Sequence, residues 1–292
     1  MPSKKASDFS PKLLELYDFY VHGMITKRDF LGRAASLGIG AVAATTMLGQ
    51  LMPDYAAAET VDTAGITEER ITFNSPEGHG AVNGLIARPI GTEPLGAVLV
   101  IHENRGLNPY IEDVVRRTAK AGYLALGPDG LSSLGGYPGT DDEGRTMQRS
   151  LDGAKVMADF FAGFEFLQSH AQSTGKVGAV GFCYGGGVCN ALAVAYPDMA
   201  CSVPFYGRHA DADDVPAIQA PLLVQLGETD KRINAGWPAY EKALLENGKT
   251  YEAHIYAGAG HGFHNNTTPR YNPEAATLAW NRTLAWFDKY IR

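Results

Sequence analysis

Three short stretches of the chain carry residue types that can do nucleophilic chemistry. Gly181-Phe182-Cys183-Tyr184-Gly185 places a thiol between two glycines, at the end of an apolar run over residues 176–181. Glycines two before and two after a nucleophile let the backbone turn sharply from strand to helix, because side chains there would crowd both elements. The same turn puts the sulfur at a helix N-terminus, whose partial positive charge favours thiolate over thiol. A nucleophile of this kind needs a proton partner, and that partner needs an orienting group. His261, in Gly260-His261-Gly262-Phe263, and Asp230, closing Gly227-Glu228-Thr229-Asp230, supply both types. In this reading Asp230 fixes the tautomer of His261, and His261 exchanges protons with the sulfur and a leaving group. Glu228 is the competing acid, read as a solvated loop carboxylate. Cys189 and Cys201, within a helix and a strand, are read as small core hydrophobes.

These groups are far apart in the chain, so the elements between them must bring them together. From about residue 66 the sequence alternates strands with helices. Strands are predicted at 82–87, 96–101, 123–126, 176–181, 201–206, 222–226 and 251–256, several as uninterrupted β-branched and small apolar runs of the kind buried on both faces. Helices are predicted at 109–122, opened by Pro109, at 154–170, at 187–196, stopped before Pro197, at 235–247 and at 273–290. Strands separated by helices imply an α/β fold with a mainly parallel sheet covered on both faces. Cys183, Asp230 and His261 each follow a strand, so all three belong at the carboxyl edge of that sheet. Their chain order of nucleophile, acid and histidine is that of the α/β-hydrolase fold.

The first 65 residues read differently from the single α/β domain at 66–292. Residues 13–25 carry Leu13, Leu14, Leu16, Tyr17, Tyr20, Val21 and Met24 near helical spacing, which predicts a short amphipathic helix. Thr26-Lys27-Arg28-Asp29-Phe30-Leu31 then leads into a small, uncharged run over 34–52 and Ala56-Ala57-Ala58. That order of basic, apolar and small residues resembles a twin-arginine export signal with Lys in the first position, cleaved after Ala58, and implies a periplasmic or secreted protein. The alternative is a retained helical arm in a cytoplasmic protein, packed on the body or joining two copies in a homo-oligomer. The run is rich in Ala, Gly and Thr, so no stable membrane span is expected.

Composition narrows the partners. The chain has 292 residues, 45% hydrophobic and 20% charged, a globular balance that disfavours disorder and a polytopic membrane protein. A net charge of −7 offers no basic face for a phosphate backbone, so nucleic acid is not an expected partner. Three cysteines bunched at 183, 189 and 201 do not form a disulfide framework.

Gly-Phe-Cys-Tyr-Gly-Gly-Gly at 181–187, Gly-Glu-Thr-Asp at 227–230 and Gly-His-Gly-Phe at 260–263 together resemble the dienelactone hydrolase family over about residues 66–291. The resemblance implies a Cys183-Asp230-His261 triad and hydrolysis of a small ester or lactone through a thioester, with no metal or organic cofactor. It also implies that Glu103, in Ile101-His102-Glu103-Asn104-Arg105-Gly106, holds the resting thiol. The backbone N–H groups of Tyr184 and Asn104 are the natural oxyanion donors, one after the nucleophile and one in the early loop. Family members acting on dienelactone grip its carboxylate with two arginines. Arg145 matches the first, with Arg149 the runner-up, and the second position is Asn265, preceded by His264. Tyr137 and Tyr206 are the aromatic candidates for the pocket.

Two other readings are carried. His102, Glu103, His209, His261 and His264 could build a metallohydrolase, although no pair has the His-Glu-x-x-His helical spacing. A catalytically inactive binding or assembly protein on the same fold is the other.

Overall fold

The apolar runs form the interior of one eight-stranded sheet in a computed structural model that describes residues 4–292. The strands are β1 (Ile66–Ser75), β2 (Gly80–Pro89), β3 (Leu95–Ile101), β4 (Leu124–Pro128), β5 (Ser173–Phe182), β6 (Cys201–Phe205), β7 (Leu222–Gly227) and β8 (Tyr251–Tyr256). They lie in the order β1-β2-β4-β3-β5-β6-β7-β8. Pairing is antiparallel from β1 to β4 and parallel across the rest, as strand–helix–strand connections require. Helices α4 (Pro109–Lys120), α5 (Asp141–Ser150), α6 (Gly153–Ser169), α7 (Tyr184–Ala195), α8 (Lys231–Asn234), α9 (Trp237–Glu246) and α10 (Pro273–Tyr290) complete the body. β4, β6 and β7 are buried along their whole length and β3 and β5 over their carboxyl-terminal halves, and two apolar clusters fill the two faces of the sheet.

Three elements of the body, β1, α5 and the four-residue α8, are absent from the sequence expectation, the first two for physical reasons visible in their surroundings. β1 reads Ile-Thr-Glu-Glu-Arg-Ile-Thr-Phe-Asn-Ser and is an edge strand paired only with β2, so it needs few apolar residues. α5 is strongly polar, and its buried positions are Asp141, Gly144 and Arg145, held by charge pairing rather than by an apolar stripe.

Ahead of the sheet come α1 (Pro11–Val21), α2 (Lys27–Ser36) and α3 (Ala41–Leu51). Ser10 caps α1, and Thr26 with Asp29 forms a capping box on α2. α1 stops earlier than the apolar pattern suggests because Gly23 adopts φ +72°. Its N–H donates to the Tyr20 carbonyl at 3.0 Å and that of Met24 to the Phe19 carbonyl at 2.9 Å. This paired closure leaves His22 as the last residue of the helix end. Leu13, Tyr17, Val21, Phe30, Ala34, Ala44, Leu48 and Leu51 form a third, separate apolar cluster. Among the described residues, no helix is long and apolar enough to cross a membrane.

The turn after β5 depends on close backbone approach. A Cβ on Gly181 would sit 2.1 Å from the Gly185 carbonyl oxygen, and one on Gly185 would sit 2.3 Å from that of Ile101 in β3. Cys183 between them has φ 55°, a conformation costly for a non-glycine residue. Gly185→Ala should therefore destabilise the fold by about 1–3 kcal/mol, since backbone rather than a side chain must move. A urea denaturation midpoint unchanged from wild type would count against this packing.

His264 is a core residue. Its Nδ1 lies 2.7 Å from the Tyr110 hydroxyl and its ring stacks on Phe182 at 5.1 Å. Burial, with Arg117 adding to it, pushes its pKa down from 6.5 to about 3. The unfolded chain therefore takes a proton at about pH 6.5 that the folded chain refuses until about pH 3, and stability falls as pH drops through that window. His264→Gln should flatten this fall between about pH 6.5 and about pH 4 when denaturation midpoints are compared.

Candidate active site

Cys183, His261 and Asp230 meet at the carboxyl edge of the sheet. Cys183 follows β5 and precedes α7, Asp230 follows β7 and caps α8, and His261 lies in the loop after β8. His261 Nδ1–H donates to Asp230 Oδ2 at 2.6 Å, and both side chains are buried. This fixes the tautomer and leaves Nε2, which is buried without a hydrogen-bond partner, as the ring's second nitrogen at the sulfur. Cys183 is itself 7% exposed and lines a cavity of about 330 Å³.

The sulfur has a second imidazole beside it that sequence reasoning missed. His22 Nε2, at the end of α1, lies 3.2 Å from Cys183 Sγ, and its ring meets that of His261 edge to face at 4.7 Å between centroids. One ring nitrogen of each histidine and the sulfur all fall within 4.8 Å of one another. Asp18 stands behind His22, paired with Arg232 Nε at 3.2 Å and Arg270 Nη1 at 3.5 Å. A signal existed: Asp18 and His22 are four residues apart, so they share one face of the predicted helix. Which body that face meets is not a local property.

Electrostatics follow from these contacts. Burial alone would raise the Cys183 thiol, but His22 and His261 together hold it well below the ordinary range. Burial opposes charge on His261 too, yet Asp230, Cys183 and Asp18 raise it to about 10. The arrangement therefore favours a thiolate between protonated imidazoles. Cys189 and Cys201 move the other way, pushed up by burial, and behave as core residues.

The remaining candidates divide. Glu103 is buried, but its Oε2 accepts from Asn265 Nδ2 at 3.1 Å and faces Arg105 Nη2 at 3.5 Å. Only Oε2 is engaged, and Glu103 Oε1 is buried without a hydrogen-bond partner, while the group found in contact with the sulfur is His22. Arg105, also missed, is anchored in turn by Asp141 at 2.6 Å. Tyr184 and Asn104 both line the cavity. Tyr184 opens α7, where backbone N–H groups have no intrahelical acceptor, and the Asn104 side chain donates to the Val21 carbonyl at 2.8 Å.

Arg145 lines the cavity, buried, with Nη2 on Asp142 and Nη1 unpartnered, and Arg149, Arg208 and Arg232 line it as well. Tyr206 is on the cavity wall with its ring edge-on to His261 at 5.0 Å. Tyr137 is not. Its hydroxyl donates to Asp141 at 3.0 Å and its backbone N–H to Asp129, which draws it away from the wall. Glu228 is exposed and accepts from the Gly258 N–H at 2.8 Å. The five groups of the metallohydrolase reading do not converge. His102 bridges the Glu103 carbonyl and the Gly130 N–H, His209 stacks on Tyr240, and His264 lies in the core.

Comparison with known proteins places the chain in a family. A model described as the dienelactone hydrolase family matches residues 82–291, and one described as YqhI-like matches residues 1–38. An Escherichia coli K12 protein named as a hydrolase fragment, YghX, is 55% identical over 114 residues, 37% of this chain and 96% of its own length. A Bradyrhizobium protein named as a probable 2-oxo-3-(5-oxofuran-2-ylidene)propanoate lactonase is 35% identical over 221 residues, 70% of this chain and 88% of its own. A crystallographically solved Klebsiella pneumoniae protein assigned to the dienelactone hydrolases superposes with a TM-score of 0.67 at 27% identity, covering 77% of this chain and 99% of its own. With the family model spanning most of the sheet and both ends of the site, the chain belongs to the dienelactone hydrolase family and is a hydrolase of that family.

Proposed function

We propose that the chain hydrolyses small esters or lactones through a thioester on Cys183, with His261 and Asp230 completing the triad. The observation that carries this is a sulfur at a strained turn, opening into a cavity and adjoining an imidazole whose far nitrogen is locked to a buried carboxylate. In this mechanism the Cys183 thiolate attacks the substrate carbonyl, and the developing oxyanion is held by the backbone N–H groups of Tyr184 and Asn104. The carbon–oxygen bond then breaks, and the leaving alkoxide takes the Nε2 proton of His261. Neutral His261 next takes a proton from water as the hydroxide adds to the thioester. The acid departs, the thiolate returns, and His261 is protonated again.

Arginines 145, 149, 208 and 232 on the cavity wall favour a substrate with an anionic group. Arg145, with one buried guanidinium nitrogen unpartnered, is the best placed of them to take a carboxylate. The lactonase name of the Bradyrhizobium relative points in the same chemical direction.

Cys183→Ala should lower turnover of p-nitrophenyl esters and lactones by about a thousandfold or more. Mass spectrometry of wild type under rapid quench should find one acyl group on the peptide carrying Cys183. In the same screen Arg145→Ala should lose activity selectively on substrates bearing a carboxylate. Full activity in Cys183→Ala sinks the mechanism, and an equal loss on neutral and anionic substrates sinks the role of Arg145.

Export of the chain to the periplasm or beyond, on its twin-arginine-like segment, is a separate proposal, with the cytoplasm as the alternative. Cleavage after Ala58 would remove α1 with His22, so a role for His22 at the sulfur requires that the exported chain keep this segment. The intact mass of the mature protein recovered from a bacterial periplasm should therefore show whether the arm is kept, and recovery only from the cytoplasm would overturn export.

A further inference from the structure

The end of α1 is tied to the reacting sulfur by contacts that folding alone does not require. His22 Nδ1 lies 2.7 Å from the Asp18 carbonyl and 3.2 Å from the Asp18 carboxylate. Both are acceptors, so Nδ1 carries a hydrogen and Nε2 is the nitrogen that can bind or release a proton at the sulfur, 3.2 Å away. His261 with Asp230 repeats this construction from the other side. The arm is also clamped beside the oxyanion loop, where the Asn104 side chain donates to Val21, the residue before His22.

We propose that His22 is a second catalytic imidazole, delivered by the N-terminal arm, that takes the Cys183 proton in the resting enzyme and is the counter-ion of the thiolate before acylation and again as the thiolate leaves. The proposal rests on the reading of Cys183 as the nucleophile. In the resting step the S–H bond breaks, an N–H bond forms at Nε2 and the electron pair stays on sulfur. His22 thereafter keeps that proton, while His261 gives its own to the alkoxide and regains one from water. This divides two tasks between two rings: holding the sulfur ionised, and moving protons to and from substrate.

The groups facing His22 come from every element around it. They are Asp18 on α1, Cys183 at the start of α7, His261 after β8, Arg232 in α8, and Arg149 of α5, which reaches over Gly23, while Arg270 acts through Asp18. Burial disfavours charge on His22, but the sulfur and Asp18 together raise its pKa above the ordinary value. His22, Cys183 and His261 also have the composition of a metal site. However, the Arg232 guanidinium lies 3.0 Å from His22 Nε2 and 3.3 Å from His261 Nδ1, a fixed positive charge beside the place a cation would take. The same charge opposes a proton on His22 Nε2, which the sulfur and the Asp18 carboxylate on the other side of the ring offset.

Iodoacetamide alkylation of the full chain, followed by the mass of the peptide carrying Cys183, reads the thiolate directly as pH is varied. Wild type should alkylate at a rate nearly independent of pH down to about pH 6. His22→Gln should lose about tenfold or more at about pH 6 and recover by about pH 9, with Asp18→Asn shifted less in the same direction. A His22→Gln profile that superimposes on wild type overturns the proposal. So does a rate lowered by one factor at every pH, the signature of a loosened arm rather than a lost counter-ion. Failure of the underlying mechanism looks different, since Cys183→Ala would then retain esterase activity whatever the alkylation profile of His22→Gln.

Discussion

A sulfur anion at a nearly closed site is tolerable only if positive charge is built around it, and that requirement organises this end of the molecule. An isolated buried charge costs several kcal/mol even after relaxation, so Cys183 would neutralise itself by keeping its proton if nothing faced it. Here the charges alternate outward from the sulfur. His261 is backed by Asp230 on one side, and His22 by Asp18 with Arg270 behind it on the other, while Arg232 spans Asp18 and the His22 ring. Each member is stabilised by the next and would be a liability without it.

The second constraint is steric. The helix after Cys183 must start within contact of β3 and β6, so the positions that face those backbones carry no side chain. Gly185 meets the Ile101 carbonyl and Gly186 that of Phe205, each nearer than any Cβ could be placed. This close approach sets the sulfur at the strand ends, where the Asn104 loop and the His261 loop also arrive. Strain at Cys183 persists because both flanks are locked.

A second buried network is built around Glu103. Glu103 faces Arg105 and Asn265, and Arg105 in turn is held by Asp141, whose carboxylate also receives Tyr55 from the N-terminal segment. The positive charge facing Glu103 comes from Arg105, within the same loop. The N-terminal segment is thus bound to both networks, through Asp18 and His22 at one and Tyr55 at the other.

Much of this was legible in the residues themselves. Uninterrupted β-branched runs, glycine spacing and proline stops are local signals, so the alternation of strands and helices, the turn at Cys183 and the order of Cys183, Asp230 and His261 could be read directly. Polar elements were not, since β1 is secured by one partner strand and α5 by ion pairs, neither of which leaves an apolar period. His22 was invisible as a site residue because its neighbours lie some 160 to 240 positions away, from Cys183 to His261. Periodicity assigned its segment to a helix, but which surface that helix met, and that its end would reach a sulfur, came only from packing the whole chain. Local chemistry determines which groups can react; tertiary contacts decide which of them share a charge.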